Sequence, residues 1–208
     1  MTNQTKHILF YTGAPGSRWS AISQTLGLMP HVNKSDESPE RVFNHTKFSG
    51  HRGMYFGPGM ELGKSFDRIA DLSRAEILEE IDRAYEDKNS EELRVVKAHV
   101  FSYQLETLKE KFPESRFMLV WRSDVECIKW WFEIGGFNIQ YPKYDWYIDE
   151  ATIKQRISEE NKCIKDFAQK YNLALEPFNA EWIKKNFGHE VLIKDQNYFK
   201  DIYVAITE

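Results

Sequence analysis

Apolar residues along this chain fall into short solid runs and longer periodic stretches, and the two alternate. His7 to Tyr11 is an apolar run stopped by Thr12-Gly13, the pattern of a buried strand meeting a turn. Trp19, Ile22 and Leu26 then recur at three and four residues, which predicts a helix ending near Gly27. Ser73, with Glu76 at the capping-box position, opens a second helix whose Ile77, Ile81 and Tyr85 share one face. Leu93 to Lys97 is the next strand. Leu105, Leu108 and Phe112 mark a helix closed by Pro113, and Arg116 to Trp121 is the third strand. Val125, Ile128 and Phe132 mark the helix after it, ended by Gly135-Gly136. Ala151 to Lys170 turns Ile153, Ile157, Ile164 and Phe167 inward, and Ala180 to Phe187 is a short helix stopped by Gly188. Val191 to Ile193 and Ile202 to Ile206 are the remaining predicted strands.

Strands alternating with helices predict an α/β fold of three layers, a mainly parallel sheet with helices on both faces. A length of 208 residues suits a single domain, 1–208. Two stretches break the periodicity. Residues 29–66 are polar, carry His31, His45 and His51, and hold five of the eleven glycines. Residues 133–149 are aromatic and turn-rich. So long an irregular segment in a compact domain is usually a functional loop.

Composition narrows the partners. With 41% hydrophobic and 29% charged residues the chain is of ordinary globular type. A net charge of −4 gives no footprint for a nucleic-acid backbone, though it leaves room for small anions. Cys127 and Cys163 sit in helix-patterned segments without paired ligand spacing, so reduced thiols are expected and no metal site. No window approaches the ~20 apolar residues of a membrane helix, and the N-terminal run is too short for a signal peptide. A cytoplasmic protein without a membrane partner is the expectation.

In an open sheet of this kind, ligands bind beyond the carboxyl ends of the strands. Thr12 to Ser20, Lys97 with His99, and Arg122 lie at or just after three such ends. The N–H groups of Gly16, Ser17, Arg18 and Trp19 can face an anion where the helix begins, while Pro15 stiffens the turn. Ser17 and Ser20 add hydroxyl donors. GAPGSRWS lacks the lysine ending of G-x-x-x-x-G-K-[ST], which disfavours a metal-dependent kinase, although Asp124 keeps that class open. Each residue also has a plainer role. His99 can be a hydrogen-bonded turn residue, Arg122 an ion-pair partner of Asp124 or Glu126, Arg18 solvated, and Ser17 a helix cap. Trp130, Trp131, Tyr141, Tyr144, Trp146 and Tyr147 line either an acceptor cleft or a core and subunit contact, the latter compatible with a homodimer.

Three segments in order carry a resemblance: Ala14-Pro15-Gly16-Ser17-Arg18-Trp19-Ser20, Lys97-Ala98-His99, and Phe117 to Trp121 followed by Arg122-Ser123-Asp124. Over roughly residues 7–28 and 93–132 the chain resembles the sulfotransferases that use 3′-phosphoadenosine-5′-phosphosulfate. Their patterns are [YVG]-P-[KR]-S-G-T-[TS], K-T-H and R-[ND]-P-x-D. The resemblance implies a P-loop NTPase-like sulfotransferase architecture. It also implies nucleotide binding by Gly13, Pro15, Gly16, Ser17, Arg18, Trp19, Ser20 and Arg122, with adenosine 3′,5′-bisphosphate as product. Transfer would need no metal and would go to a hydroxyl or amine of a small-molecule or glycan acceptor, held by residues 29–66 and 133–149. His99 would be the general base, with Arg18 and Lys97 stabilising charge on the sulfuryl group. The sequence departs from the family: Gly16 stands for its basic residue, Arg18 for the following glycine, Trp130 for a later serine, and the C-terminal glycine-rich nucleotide motif of the cytosolic enzymes has no counterpart. A non-catalytic binding module of the same fold and a small-molecule P-loop kinase therefore remain alternatives.

Overall fold

A computed structural model describes residues 7–37, 66–87, 89–138 and 148–208, and in it the alternation becomes one open five-stranded sheet. Strand β1 (Ile8–Gly13) is buried at every position because helices cover both its faces. Strands β2 (Arg94–Lys97) and β3 (Arg116–Arg122) flank it in parallel. The two-residue β4 (Glu176–Pro177) and β5 (Ile202–Ile206) complete the order β2-β1-β3-β5-β4. Here the parallel arrangement stops: β5 runs antiparallel to both β3 and β4, so the sheet is mixed.

The two-residue period of the strands divides the core. Ile8, Phe10, Val96, Phe117 and Leu119 face one cluster, in the company of Ile77, Leu105 and Phe167. Leu9, Tyr11, Val95, Met118 and Val120 face the other, with Trp19, Ile22 and Trp182. Helix α1 (Trp19–Leu26) covers the second face, and helices α2 (Arg74–Ala84) and α3 (Phe101–Lys111) the first. Helix α4 (Asp124–Glu133) packs on α5 (Glu150–Lys170) through a smaller cluster of Ala14, Cys127, Trp131, Ile153 and Ile157. Helix α6 (Ala180–Phe187) joins α1 on the second face. Phe10 anchors the first cluster, its ring centroid 5.1–5.7 Å from those of Phe101, Phe112 and Phe117. Burial of one such ring stabilises by about 1.5–3 kcal/mol.

Helix starts are where the sequence expects them, and the Ser73–Glu76 capping box is formed. Three expectations need correction. On α4, Val125 and Phe132 are exposed, while Cys127, Trp130 and Trp131 are buried. The heavier stripe at three and four residues wins because two indoles bury more area than a valine and a phenylalanine. Val191 and Ile193 are buried and Leu192 is exposed, yet the segment is no strand. Its alternation serves packing into the cluster of Trp19, Ile22 and Leu26 instead of a ladder. Within 29–37, Val32 bridges Leu93 in parallel and the Asn33 N–H donates to the Leu93 carbonyl at 2.9 Å, so that segment begins as a sheet edge. His45, His51, Tyr141, Tyr144, Trp146 and Tyr147 lie outside the described residues. Among the described residues no helix is long and apolar enough to cross a membrane.

Candidate functional site

The turn between β1 and α1 is built from two left-handed residues, Gly16 at φ 79° and Arg18 at φ 63°. The Ser17 N–H donates to the Ala14 carbonyl at 3.0 Å and closes it. Glycine is obligatory at 16, since a Cβ there would lie 2.0 Å from the backbone oxygen of Cys127. The basic residue that the sulfotransferase pattern carries at this place has no room under α4. Position 18 is the reverse case: the backbone is left-handed where that pattern has glycine, but the residue is arginine. Such a conformation costs a residue with a side chain about 1 kcal/mol. A left-handed residue followed by a helical one forms a nest, which turns successive N–H groups toward one concavity at the positive end of the helix dipole.

Arg18 is half-buried. Its guanidinium lies 3.9 Å from the Trp130 ring centroid and 4.4 Å from that of Tyr198. Nη1 donates to the Tyr198 carbonyl, and Nε is buried with no hydrogen-bond partner among the described residues. Burial, and then the neighbouring Arg122, lower its pKa from the ordinary arginine range.

His99 follows β2, where the Ala98 N–H donates to the Tyr11 carbonyl. The imidazole is 4% exposed, with its ring 4.2 Å from that of Trp19. A carbonyl can only accept, so the contact of Nδ1 with the Gly13 oxygen at 2.5 Å puts the proton on Nδ1 and the lone pair on Nε2. Burial pushes the pKa down to about 3, with Arg156 adding to the fall and the Gly13 hydrogen bond opposing it. The ring is neutral across the physiological range. Behind it, on α5, stands a wholly buried Glu160 whose Oε1 accepts from Arg156 Nε at 2.6 Å. Burial raises this carboxyl to about 8 against the pull of Arg156.

Arg122 ends β3 and turns inward. Nη1 donates to the Gly16 carbonyl at 3.4 Å and the Glu126 carbonyl at 3.1 Å, and Nη2 pairs with Glu126 Oε2 at 3.4 Å. Asn161 on α5 donates to the Arg122 carbonyl at 2.8 Å and to Asp124 at 2.7 Å. The guanidinium thus clamps the turn onto α4, and the ion-pair role with Glu126 is realised.

A cavity of about 510 Å³ opens between the turn, α4 and residues 192–199. Pro15, Gly16, Arg18, Trp19, Ser20 and His99 all line it, together with Trp130 and Tyr198. The remaining expected residues do not reach its wall. Ser17 Oγ is fully buried without a partner among the described residues and faces Gly13, where a Cβ would come within 2.8 Å of it. Lys97 is 6% exposed inside β2, and Arg122 is occupied as described. Sequence reasoning missed Tyr198, which has no periodic signal. It also missed Glu160, which had one: 153, 157, 160, 164 and 167 are a single inward stripe with an acid in the middle. Comparison with protein-family models, curated proteins and solved structures finds no match for the chain.

Proposed function

We propose that the chain transfers a sulfuryl group from 3′-phosphoadenosine-5′-phosphosulfate to a hydroxyl or amine of a small-molecule or glycan acceptor. One observation carries this: a turn with two left-handed residues, the Arg18 guanidinium and a neutral imidazole border one cavity at the carboxyl ends of β1 and β2. The nest at 18–20 suits the phosphosulfate end of the nucleotide. At the other end, Arg122 is off the cavity wall and paired with Glu126, so a 3′-phosphate would meet the guanidinium only if it left that carboxylate. The nucleotide supplies the group transferred. Within this proposal His99 Nε2 accepts the acceptor's proton, despite a burial-lowered pKa of about 3 that makes the resting ring a weak base. Arg18 with the turn N–H groups stabilises negative charge, one such donor contributing about 3 kcal/mol. A P-loop NTPase-like sulfotransferase architecture and a cytoplasmic setting belong to the same proposal.

A binding module that holds the nucleotide without transfer is a second reading, favoured by the inward pairing of Arg122 and the buried Ser17. Calorimetric titration separates the readings. Adenosine 3′,5′-bisphosphate is expected to bind without magnesium, Arg18→Ala to weaken it at least tenfold, and His99→Ala to keep binding while losing transfer. Preference for ATP with magnesium overturns the proposal in favour of a kinase. Tight bisphosphate binding with no sulfate transferred to a broad acceptor panel selects the module.

A further inference from the structure

The transfer just proposed leaves the buried acid behind His99 without a task. Glu160 Oε2 lies 3.7 Å from His99 Nδ1, is shielded from solvent, and has no hydrogen-bond partner among the described residues. Its other oxygen is held by Arg156, whose guanidinium in turn lies 4.4 Å from the Tyr103 ring centroid. The carboxyl is therefore fixed, and one of its oxygens is kept for the imidazole. We infer that Glu160 is a positioning residue for His99, its carboxylate receiving the Nδ1–H when the ring becomes an imidazolium. The inference rests on the transferase reading of the cavity.

The chemistry follows from the geometry. In the resting ring Nδ1–H is given to the Gly13 carbonyl. During transfer the acceptor O–H bond breaks and its proton goes to Nε2. The acceptor oxygen bonds to sulfur as the sulfur–oxygen bond to the 5′-phosphate breaks, and that electron pair leaves with the bisphosphate. A lone imidazolium in so dry a place is costly, and turning Nδ1–H from Gly13 to Glu160 Oε2 makes it half of an ion pair. Only the ionised carboxylate can do this. Other groups facing the acid are Tyr103 from α3, Cys127 from α4, and Arg156, Glu159 and Cys163 from α5 itself. The Cys127 thiol is pushed up to about 12 by burial, so it stays neutral while Glu160 ionises near 8. Transfer should accordingly quicken as the pH rises toward 8 and level off above it.

Glu160→Gln and Glu160→Asp test this in the whole protein, with folding checked by circular dichroism. Infrared difference spectra and histidine ¹⁵N NMR need no acceptor. In the parent protein a protonated-carboxyl band is expected to titrate near pH 8 in step with the His99 Nδ1 resonance. Both changes should vanish in Glu160→Gln and persist in Glu160→Asp. In turnover, Glu160→Gln should lose about 100-fold in kcat and the alkaline rise, with bisphosphate affinity within twofold of the parent. His99 resonances that ignore pH alike in parent and Gln variant overturn the assignment of Glu160, even if transfer is observed. An intact coupling without any transfer counts against the transferase reading alone.

Discussion

The two sides of the turn at 13–18 are made of similar residues and behave differently. On the cavity side, Arg18 is half-exposed, held between aromatic rings, and carries a strained backbone. On the inner side, Arg122, Ser17, Asn161 and Glu160 are buried. Arg122 Nη1 and Nη2, Asn161 Nδ2 and Glu160 Oε1 bind within the fold, while Arg122 Nε, Ser17 Oγ, Asn161 Oδ1 and Glu160 Oε2 have no hydrogen-bond partner among the described residues. Polar residues at the ends of parallel strands thus divide into those that line the cavity and those that hold the turn beside it. On the inner side, removing the Arg122 guanidinium should cost stability while an isosteric change at Glu160 should leave the fold standing, and substitutions on the cavity side should chiefly unmake binding.

The largest effect is expected from Gly16→Val. A side chain there meets the Cys127 carbonyl at 2.0 Å on a backbone at φ 79°, so overpacking and strain combine to cost about 4 kcal/mol or more. Chemical denaturation, or failure to obtain soluble protein, reads this. A variant within 1 kcal/mol of the parent would mean that the turn does not rest on α4.

Arg122→Met comes next. Removing the guanidinium leaves the Gly16 and Glu126 carbonyls short of a donor and Glu126 short of a cation, a loss of about 2–4 kcal/mol. The same variant sharpens the division between the two sides. If Arg122 only clamps the turn, bisphosphate affinity measured well below the melting range changes little. A loss of binding much larger than that of Arg18→Ala would move Arg122 to the ligand side.

Strands β1, β2, β3 and β5 and the helix starts were legible because solid apolar runs and capping residues encode them locally, whereas the two-residue β4 has no such run. The ends of β2 and β3 bring His99 and Arg122 to the turn after β1. The side of the turn on which each group lies was not legible. Arg18 follows β1 and Arg122 ends β3, yet one guanidinium lines the cavity and the other donates to the Gly16 and Glu126 carbonyls, a difference set by packing that the sequence pattern does not carry. Strand β5 was placed correctly at Ile202–Ile206, but its antiparallel direction was missed because direction depends on connections that periodicity does not report. Val191–Ile193 alternates like a strand because a segment lying flat on a helix needs the same one-in, one-out pattern. Glu160 was overlooked although its place in the stripe of α5 was plain.

Glu160 and His99 make opposite contributions to stability, and pH separates them. The carboxyl rises from 4.5 to about 8 on folding, so the native state holds a proton that the unfolded chain gives up, and stability falls as pH climbs through that window. The imidazole drops from 6.5 to about 3, so the unfolded chain binds the extra proton and stability grows as pH climbs to 6.5. Between 4.5 and 6.5 the two offset each other. From 6.5 to 8 the acid acts alone and should cost about 2 kcal/mol, visible as a falling melting temperature that Glu160→Gln flattens. An unchanged slope in that variant would remove the buried acid from the account.

The smallest effect is the most specific to the cavity side. Arg18→Ala and Arg18→Gly both lose the rings of Trp130 and Tyr198, a contact of about 1–2 kcal/mol when partly desolvated. They differ only in the backbone. Alanine still pays for φ 63°, whereas glycine adopts it freely, so Arg18→Gly should be the more stable of the two by about 1 kcal/mol. Their bisphosphate affinities should fall by equal factors, because neither restores the guanidinium. Equal stabilities would mean that the turn is not left-handed at 18, and with that conformation goes the nest on which anion binding depends. An affinity retained by the glycine variant would leave the turn intact and assign binding to its N–H groups, with the arginine no more than a lid of aromatic contacts over them.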